Sequence, residues 1–441
     1  MNFYLFNRSE RKLKKSQNTY IPLIIVGGGP CGLTLANMLR GRSTFKILIP
    51  NNPQITMYSQ IQSRNLYNIK GGLPSSLALK WGNQHDTNIY RNFSFLNTLG
   101  SLPGFPFNIE FLKNGLHLFD SVGWPKPLIQ DKSKESLLGF RRNFIVKLKS
   151  EKIQKKLRFN IKDDVIKFNT IQLKSKNRAG KYIISLDGKL ISCSKIIFAT
   201  GGLSNTYFAN EVTRHFYPNL KLDMIGKGYT NHPKAQLLEI EFKNFVRYMR
   251  VFFGYKKIFS WYRIYPEGMF SFRLFPIFSY KNKVLLFMES IFIKFGYGRK
   301  FVVMAYMEYP QCRNNSLKPI YKNGYLIGFK YSLKNSDKSF QKFLRASTKE
   351  AIEVCKKISR LKSHKVYDFN LSKIKDDQFH YFGTTRMGSN SSNSVVNKYG
   401  KMHHTKGIYF IGTSVLPISR SEHPTYIAML LSAKTAFKLI D

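Results

Sequence analysis

Ile21-Pro22-Leu23-Ile24-Ile25-Val26-Gly27-Gly28-Gly29-Pro30-Cys31-Gly32 is the stretch that decides the fold. Its apolar half is too short to cross a bilayer and reads as a strand buried on both faces. The glycines that follow have the spacing GxGxxG, and behind them Leu33, Leu35, Ala36 and Leu39 recur at helical spacing. Phe45 to Ile49 reads as a second strand. The glycines therefore stand at the strand-to-helix turn of a βαβ unit, the context that makes this motif informative. Gly27 permits the tight turn, Gly29 lets the backbone approach a pyrophosphate, and Gly32 lets the helix pack close to the strand. Pro30 and Cys31 lie in the first turn of that helix, whose free N–H groups face the phosphates. A ribose-binding carboxylate is expected after the second strand, but the sequence there is Ile49-Pro50-Asn51-Asn52. Asn51 offers a neutral, weaker hydrogen bond in its place.

Further along, Lys134 to Phe159 reads as a lysine-rich helix. Val165 to Phe168, Tyr182 to Leu186 and Leu190 to Cys193 read as strands, the last two joined by the hairpin signal Asp187-Gly188. Lys195 to Phe198 is another buried strand, running into Ala199-Thr200-Gly201-Gly202. In flavoproteins a similar return strand brings a second backbone turn against the cofactor, although a plain strand–turn–helix junction has the same pattern. Residues 236–335 are rich in Phe, Tyr, Ile and Val, and Phe301 to Pro310 and Tyr325 to Leu333 look like antiparallel strands. Phe340, Leu344, Ala351, Cys355 and Ile358 mark one face of a helix. This block is expected to form a sheet-plus-helix lobe over a substrate cleft. Near the end, His380 precedes Gly383-Thr384-Thr385-Arg386-Met387-Gly388. Gly407 to Ser414 reads as a strand meeting a small-residue turn at Gly412-Thr413. His423-Pro424-Thr425 then opens a last helix, with Pro424 suited to its first turn.

These segments together resemble the glucose–methanol–choline (GMC) oxidoreductases, nearest the sugar-oxidising, pyranose oxidase-like branch. The matching segments are Gly27 to Gly32, Ala199 to Asn205, Gly226 to Pro233 and His380 to Thr425. The resemblance implies an α/β fold with a discontinuous, Rossmann-like FAD-binding domain and an α+β substrate domain on an antiparallel sheet. It implies FAD as cofactor, held by Gly27, Gly29, Pro30, Cys31, Gly32, Asn51, Ala199, Thr200, Gly201, Gly412, Thr413, Pro424 and Thr425. It places His380 and His423 at the catalytic pair. An imidazole is suited to taking the hydroxyl proton of an alcohol near neutral pH while the hydride passes to the flavin. His380 is expected as base and His423 as orienting partner. The positive end of the helix opened by Pro424 would stabilise charge on a reduced flavin. The expected domains are residues 18–235 and 371–441 for FAD and 236–370 for substrate. The same flavin fold also hosts lyase chemistry without net oxidation. A catalytically decayed, basic protein binding flavin or polyanions is a third reading.

Composition bounds the partners. Of 441 residues, 71 are Lys or Arg and 25 are Asp or Glu, a formal charge of +46. Either a biased residue usage or affinity for polyanions and anionic lipid headgroups explains this charge. The basic residues are spread along the chain, so no specific nucleic-acid contact is expected. The partners expected are a small alcohol or sugar and an electron acceptor that the sequence leaves unnamed. Cys31, Cys193, Cys312 and Cys355 form no CxxC pair, and no metal site is expected; His403-His404 reads as a surface turn. Met1 to Tyr20 is basic without an apolar core, so a cytoplasmic location is expected, with a peripheral membrane position left open.

Overall fold

Leu23–Val26 (β1) is apolar and buried at every position, and it forms the middle of a sheet for that reason. The computed structural model describes residues 19–51, 160–229, 233–247, 249–252, 255–258, 260–265, 268–295, 297–307, 315–322, 325–332, 337–367, 381–417 and 425–440, together with short strands at 60–63, 66–70, 84–86, 143–147 and 375–376. After β1 the chain turns into helix α1 (Pro30–Leu39) and returns as β2 (Phe45–Pro50). Both strands are parallel, with Leu23 opposite Phe45. Val165–Phe168 (β3) adds beyond β2. A three-stranded meander follows: β4 (Ile171–Lys176), β5 (Tyr182–Leu186) and β6 (Lys189–Cys193). Asp187 and Gly188 take φ of 48° and 85° at its hairpin, the twist that two-residue turns need. The Asp187 carboxylate accepts from the Thr170 N–H at 2.7 Å, and this bond holds it below its usual range.

Lys195–Phe198 (β7) then pairs with β1, and helix α2 (Gly201–His215) leaves its end. Much later Ile408–Phe410 (β8) pairs with β7, completing a parallel sheet of order β8-β7-β1-β2-β3. Phe198 stacks on Phe208 of α2 at 4.7 Å and on Phe410 at 5.0 Å between ring centres. The chain's last helix, α3 (Thr425–Ile440), packs against α1, burying Ala428, Leu431 and Ala433 in the core that surrounds the sheet.

The segment between α2 and β8 builds antiparallel sheets. Pro233–Arg247, Gly268–Ile277 and Tyr297–Met307 are its long strands, flanked by Ser260–Tyr265 and Leu361–Val366. They have a core of their own, including Ile240, Phe272 and Phe301, to which Ala351 and Cys355 of the helix Asp337–Ile358 contribute. Tyr325–Ser332 is a strand as expected, but it joins a separate sheet with Ser316–Lys322 and Leu66–Lys70. The architecture is thus mixed α/β, one parallel sheet beside antiparallel ones.

One expectation needs correction. Within the stretch read as a helix from Lys134 to Phe159, Asn143–Lys147 is a strand, antiparallel to Tyr255–Ile258 and to Gln84–Asp86. Its run Phe144-Ile145-Val146 is aromatic and β-branched, which suits a pleated strand better than the surrounding lysines suggest. The rest of that stretch lies outside the described residues. Among the described residues, no helix is long and apolar enough to cross a membrane.

Candidate FAD site

The parallel strands β1, β7 and β8 end side by side, and their carboxyl ends open on the turns that follow. This is where open parallel sheets bind their ligands. Gly27 has φ of 114°, and a Cβ there would lie 2.6 Å from the Ala199 carbonyl oxygen. Its N–H donates to the Leu48 carbonyl at 2.9 Å, tying the turn to β2. A Cβ on Gly32 would stand 2.0 Å from the Gly27 carbonyl oxygen, so only glycine lets α1 begin this close to the strand. Gly29 is the extended residue before Pro30, and its carbonyl accepts the first helical bond, from Leu33 at 2.9 Å. No side chain caps α1, and its first turn has no acidic residue. The N–H groups of that turn thus remain available to an anion.

Cys31 points the other way. Its thiol is buried, close enough to Ser432 of α3 for a hydrogen bond, and burial pushes its pKa up to about 12. What Cys31 can offer a ligand is therefore backbone, with the side chain a neutral packing group. Asn51, at the end of β2, is exposed; its amide donates to Asn169 at 3.1 Å and its N–H to the Phe168 carbonyl at 2.8 Å.

The second turn, Ala199-Thr200-Gly201, is locked by the asparagine that closes the matched segment Ala199 to Asn205. Asn205 is wholly buried in α2. Its carbonyl accepts from the Thr200 N–H at 3.1 Å and from the Thr200 hydroxyl at 2.7 Å. Its amide donates to the Ile411 carbonyl at 2.9 Å and to the Ser414 hydroxyl at 2.7 Å. One side chain thus joins the turn after β7 to the turn after β8. Thr385 extends the network by donating to the Ser414 hydroxyl at 2.8 Å. Thr384 donates to the Gly202 carbonyl at 2.8 Å, and Thr413 to the Tyr381 carbonyl at 3.0 Å. Gly202 is pinned by this closeness, since a Cβ there would lie 2.3 Å from the Tyr381 carbonyl oxygen. The signal in the sequence was the Thr384-Thr385 and Thr413-Ser414 pairs, polar residues beside apolar strand ends.

Two glycines of these turns behave differently. Gly201 and Gly412 have φ of 83° and 107°, and a Cβ on either would meet nothing within 4 Å. Gly412 is nonetheless buried, so open space lies beside its backbone at the strand ends. The structure thus brings together Gly27, Gly32, Ala199, Thr200, Gly201, Gly412 and Thr413 around the ends of three adjacent strands. Thr425 is the first residue of α3. His380, His423 and Pro424 lie outside the described residues. His403 and His404 sit in the turn that precedes β8, on the amino-end side of that strand; His403 contacts the Ser394 hydroxyl at 2.9 Å and His404 that of Ser391 at 2.8 Å.

Residues 330–432 match the family model for the C-terminal domain of the GMC oxidoreductases. No curated protein matches the chain. Among solved structures, pyridoxine 4-oxidase from Mesorbium loti superposes with a TM-score of 0.55 at 12% identity, covering 95% of this chain and 99% of that one. A formate oxidase from Aspergillus oryzae RIB40, studied for its FAD modification, superposes with a TM-score of 0.56 at 12% identity over 96% and 98%. The chain therefore carries a GMC oxidoreductase C-terminal domain on the GMC fold. That family comprises flavin-dependent oxidoreductases acting on small alcohol-type substrates, and its cofactor is FAD. The open glycine turns and the uncapped start of α1 fit such a cofactor.

Proposed function

We propose that this protein is an FAD-dependent oxidoreductase that oxidises a CH–OH group of a small alcohol, a sugar or glycoside in particular. The observation that carries this reading is the Asn205 clamp. It fastens the turn of the GMC C-terminal segment to the turn beside the dinucleotide loop, so both work as one site. The residues 18–235 and 371–441 make the FAD-binding domain in this reading, and 236–370 the substrate lobe.

Each part of the chain has a task. The Gly27–Gly32 turn and the N–H groups of α1 hold the pyrophosphate, with Cys31 contributing backbone alone. Asn51 serves the ribose by a neutral hydrogen bond, weaker than a carboxylate would make. Ala199, Thr200, Gly201, Gly412 and Thr413 would present backbone to the ring system, and a helix opened at Pro424 and Thr425, as the family resemblance implies, would offer its positive end to charge on it. The bound FAD supplies the hydride acceptor. His380, next in sequence to Tyr381, takes the hydroxyl proton, and His423 hydrogen-bonds the substrate oxygen and fixes its direction. The sugar class rests on the resemblance of the four segments to the pyranose oxidase-like branch. The electron acceptor is taken to be other than oxygen, because peroxide is costly inside a cell.

The test is an absorption spectrum of the FAD-loaded protein under anaerobic addition of sugars and simple alcohols. Bleaching of the flavin band by a sugar supports the reading. Bleaching by non-sugar alcohols alone keeps the oxidoreductase and removes the sugar. A flavin band that no compound bleaches shifts weight to lyase chemistry or a decayed site. Fast reoxidation on mixing with oxygen would overturn the choice of acceptor.

A further inference from the structure

The helix Lys283–Lys294 is built inside out. Val284, Phe287 and Phe295, the last just past its end, are 68%, 66% and 72% exposed, and Met288, Ile291 and Phe292 are exposed with them. At roughly 100° per residue these side chains fall on one broad face. The residue turned inward is an acid: Glu289 is only 1% exposed. Its carboxylate accepts from the Ser279 N–H at 2.7 Å and the Tyr280 N–H at 3.4 Å. Asn282 caps the helix start, accepting from Val284 N–H at 2.9 Å. Ile293 packs against the core of the antiparallel lobe. The helix is thus fixed by its polar anchor with its apolar face outward, the reverse of what burial alone would select.

We infer that this face docks on an anionic phospholipid bilayer. Charge argues for that occupant. Exposed Lys281 and Lys283 stand at one end of the apolar face, Lys294 is the last residue of the helix in sequence, and the whole chain has a formal charge of +46. A second copy of the chain would bring the same charge and be repelled, whereas an anionic lipid surface attracts it. An apolar face rimmed by lysines is what lies in the interfacial plane, apolar side chains among the upper acyl chains and ammonium groups at the headgroups. A helix of 12 residues with no membrane-crossing length suits a surface contact.

Sedimentation of the full-length, FAD-loaded protein with vesicles tests this. The protein is expected to pellet with phosphatidylglycerol-containing vesicles, weakly with phosphatidylcholine alone, and less as salt rises. Replacing Phe287→Ser together with Ile291→Ser is expected to reduce the partition at least about tenfold. Both side chains are exposed, so the melting temperature and flavin spectrum should stay as in the parent; Val284→Ser with Phe295→Ser is a second pair at the same face and should act alike. Parent and variants pelleting equally would mean that diffuse charge alone binds, and the inference would fall. No pelleting of the parent would also overturn it. So would a dimer in vesicle-free solution that the variants abolish, because the face would then belong to a second copy.

Discussion

Asn205 carries more of the site than any other single side chain. It makes four hydrogen bonds from a fully buried position, two to Thr200 and one each to Ile411 and Ser414. Asn205→Ala leaves the Thr200 N–H and the Ser414 hydroxyl to find other partners in a buried setting, at a cost of about 2–4 kcal/mol. The expected outcome is a lower melting temperature and reduced FAD retention after gel filtration. Gly32→Ala tests the cradle at its tightest point. Its methyl group would overlap the Gly27 carbonyl oxygen, so α1 must move away from the turn and FAD should be lost from a protein that still folds. Methyl groups at Gly201 or Gly412 meet no protein atom, although their positive φ disfavours any side chain. The catalytic assignment makes a different demand. His380→Ala should keep its flavin spectrum and lose about two to four orders of magnitude in turnover. Steady-state kinetics with the substrate that bleaches the parent protein checks this, and unchanged turnover would remove His380 as base.

The elements were legible to the extent that local chemistry sets them. The run Leu23 to Val26, the hairpin at Asp187-Gly188 and the strand Lys195–Phe198 form as their patterns predict, because burial and turn geometry act within a few residues. Asn143–Lys147 was misread because the lysines around it suggested a polar helical face, while pairing with Tyr255–Ile258 rewards the β-branched run between them. The clamp at the site was legible only in part: a matched segment ends at Asn205, but its partner Ile411 is 206 residues away, and neither segment announces the bond between them. Cross-strand charge pairs are equally invisible in sequence and have a measurable consequence. Glu239 on Pro233–Arg247 meets Lys300 on Tyr297–Met307 at 2.5 Å and accepts from the Tyr367 hydroxyl at 2.8 Å. The Lys300 hydrogen bond, followed by that of Tyr367, outweighs desolvation and lowers the Glu239 pKa. A depressed carboxylate stabilises the fold above its unfolded value, here 4.5, and that contribution is lost as pH falls through the lower folded value. Glu239→Gln should therefore melt lower than the parent at neutral pH, and the difference should shrink on acidification below that value. Melting curves across the acid range check the sign.

At the scale of the molecule, the proposed FAD cradle and the antiparallel lobe rest on two separate cores. The first gathers β1 and α1, β7, and β8 and α3, which come from three separate stretches of the chain, so a ligand seated on their turns would join segments that sequence keeps far apart. Binding then stabilises the whole of that core by mass action, about 2.7 kcal/mol at a free FAD concentration a hundredfold above Kd. The second core shares none of the turns at the strand ends. Hydrogen exchange with and without FAD should separate the two. Amides of residues 23–33, 196–205 and 408–416 are expected to slow on FAD addition, with Gly27 to Gly32 and Ile411 to Ser414 changing most. Those of the helix Lys283–Lys294 should be unaffected, because its contacts run to the turn at Ser279 and to the lobe core. Adding anionic vesicles should produce the opposite pattern, slowing exchange in that helix and leaving the turns as they were. Protection by FAD that spread evenly over both cores would mean that they open together, and the division between a cofactor body and a lobe would have to be abandoned.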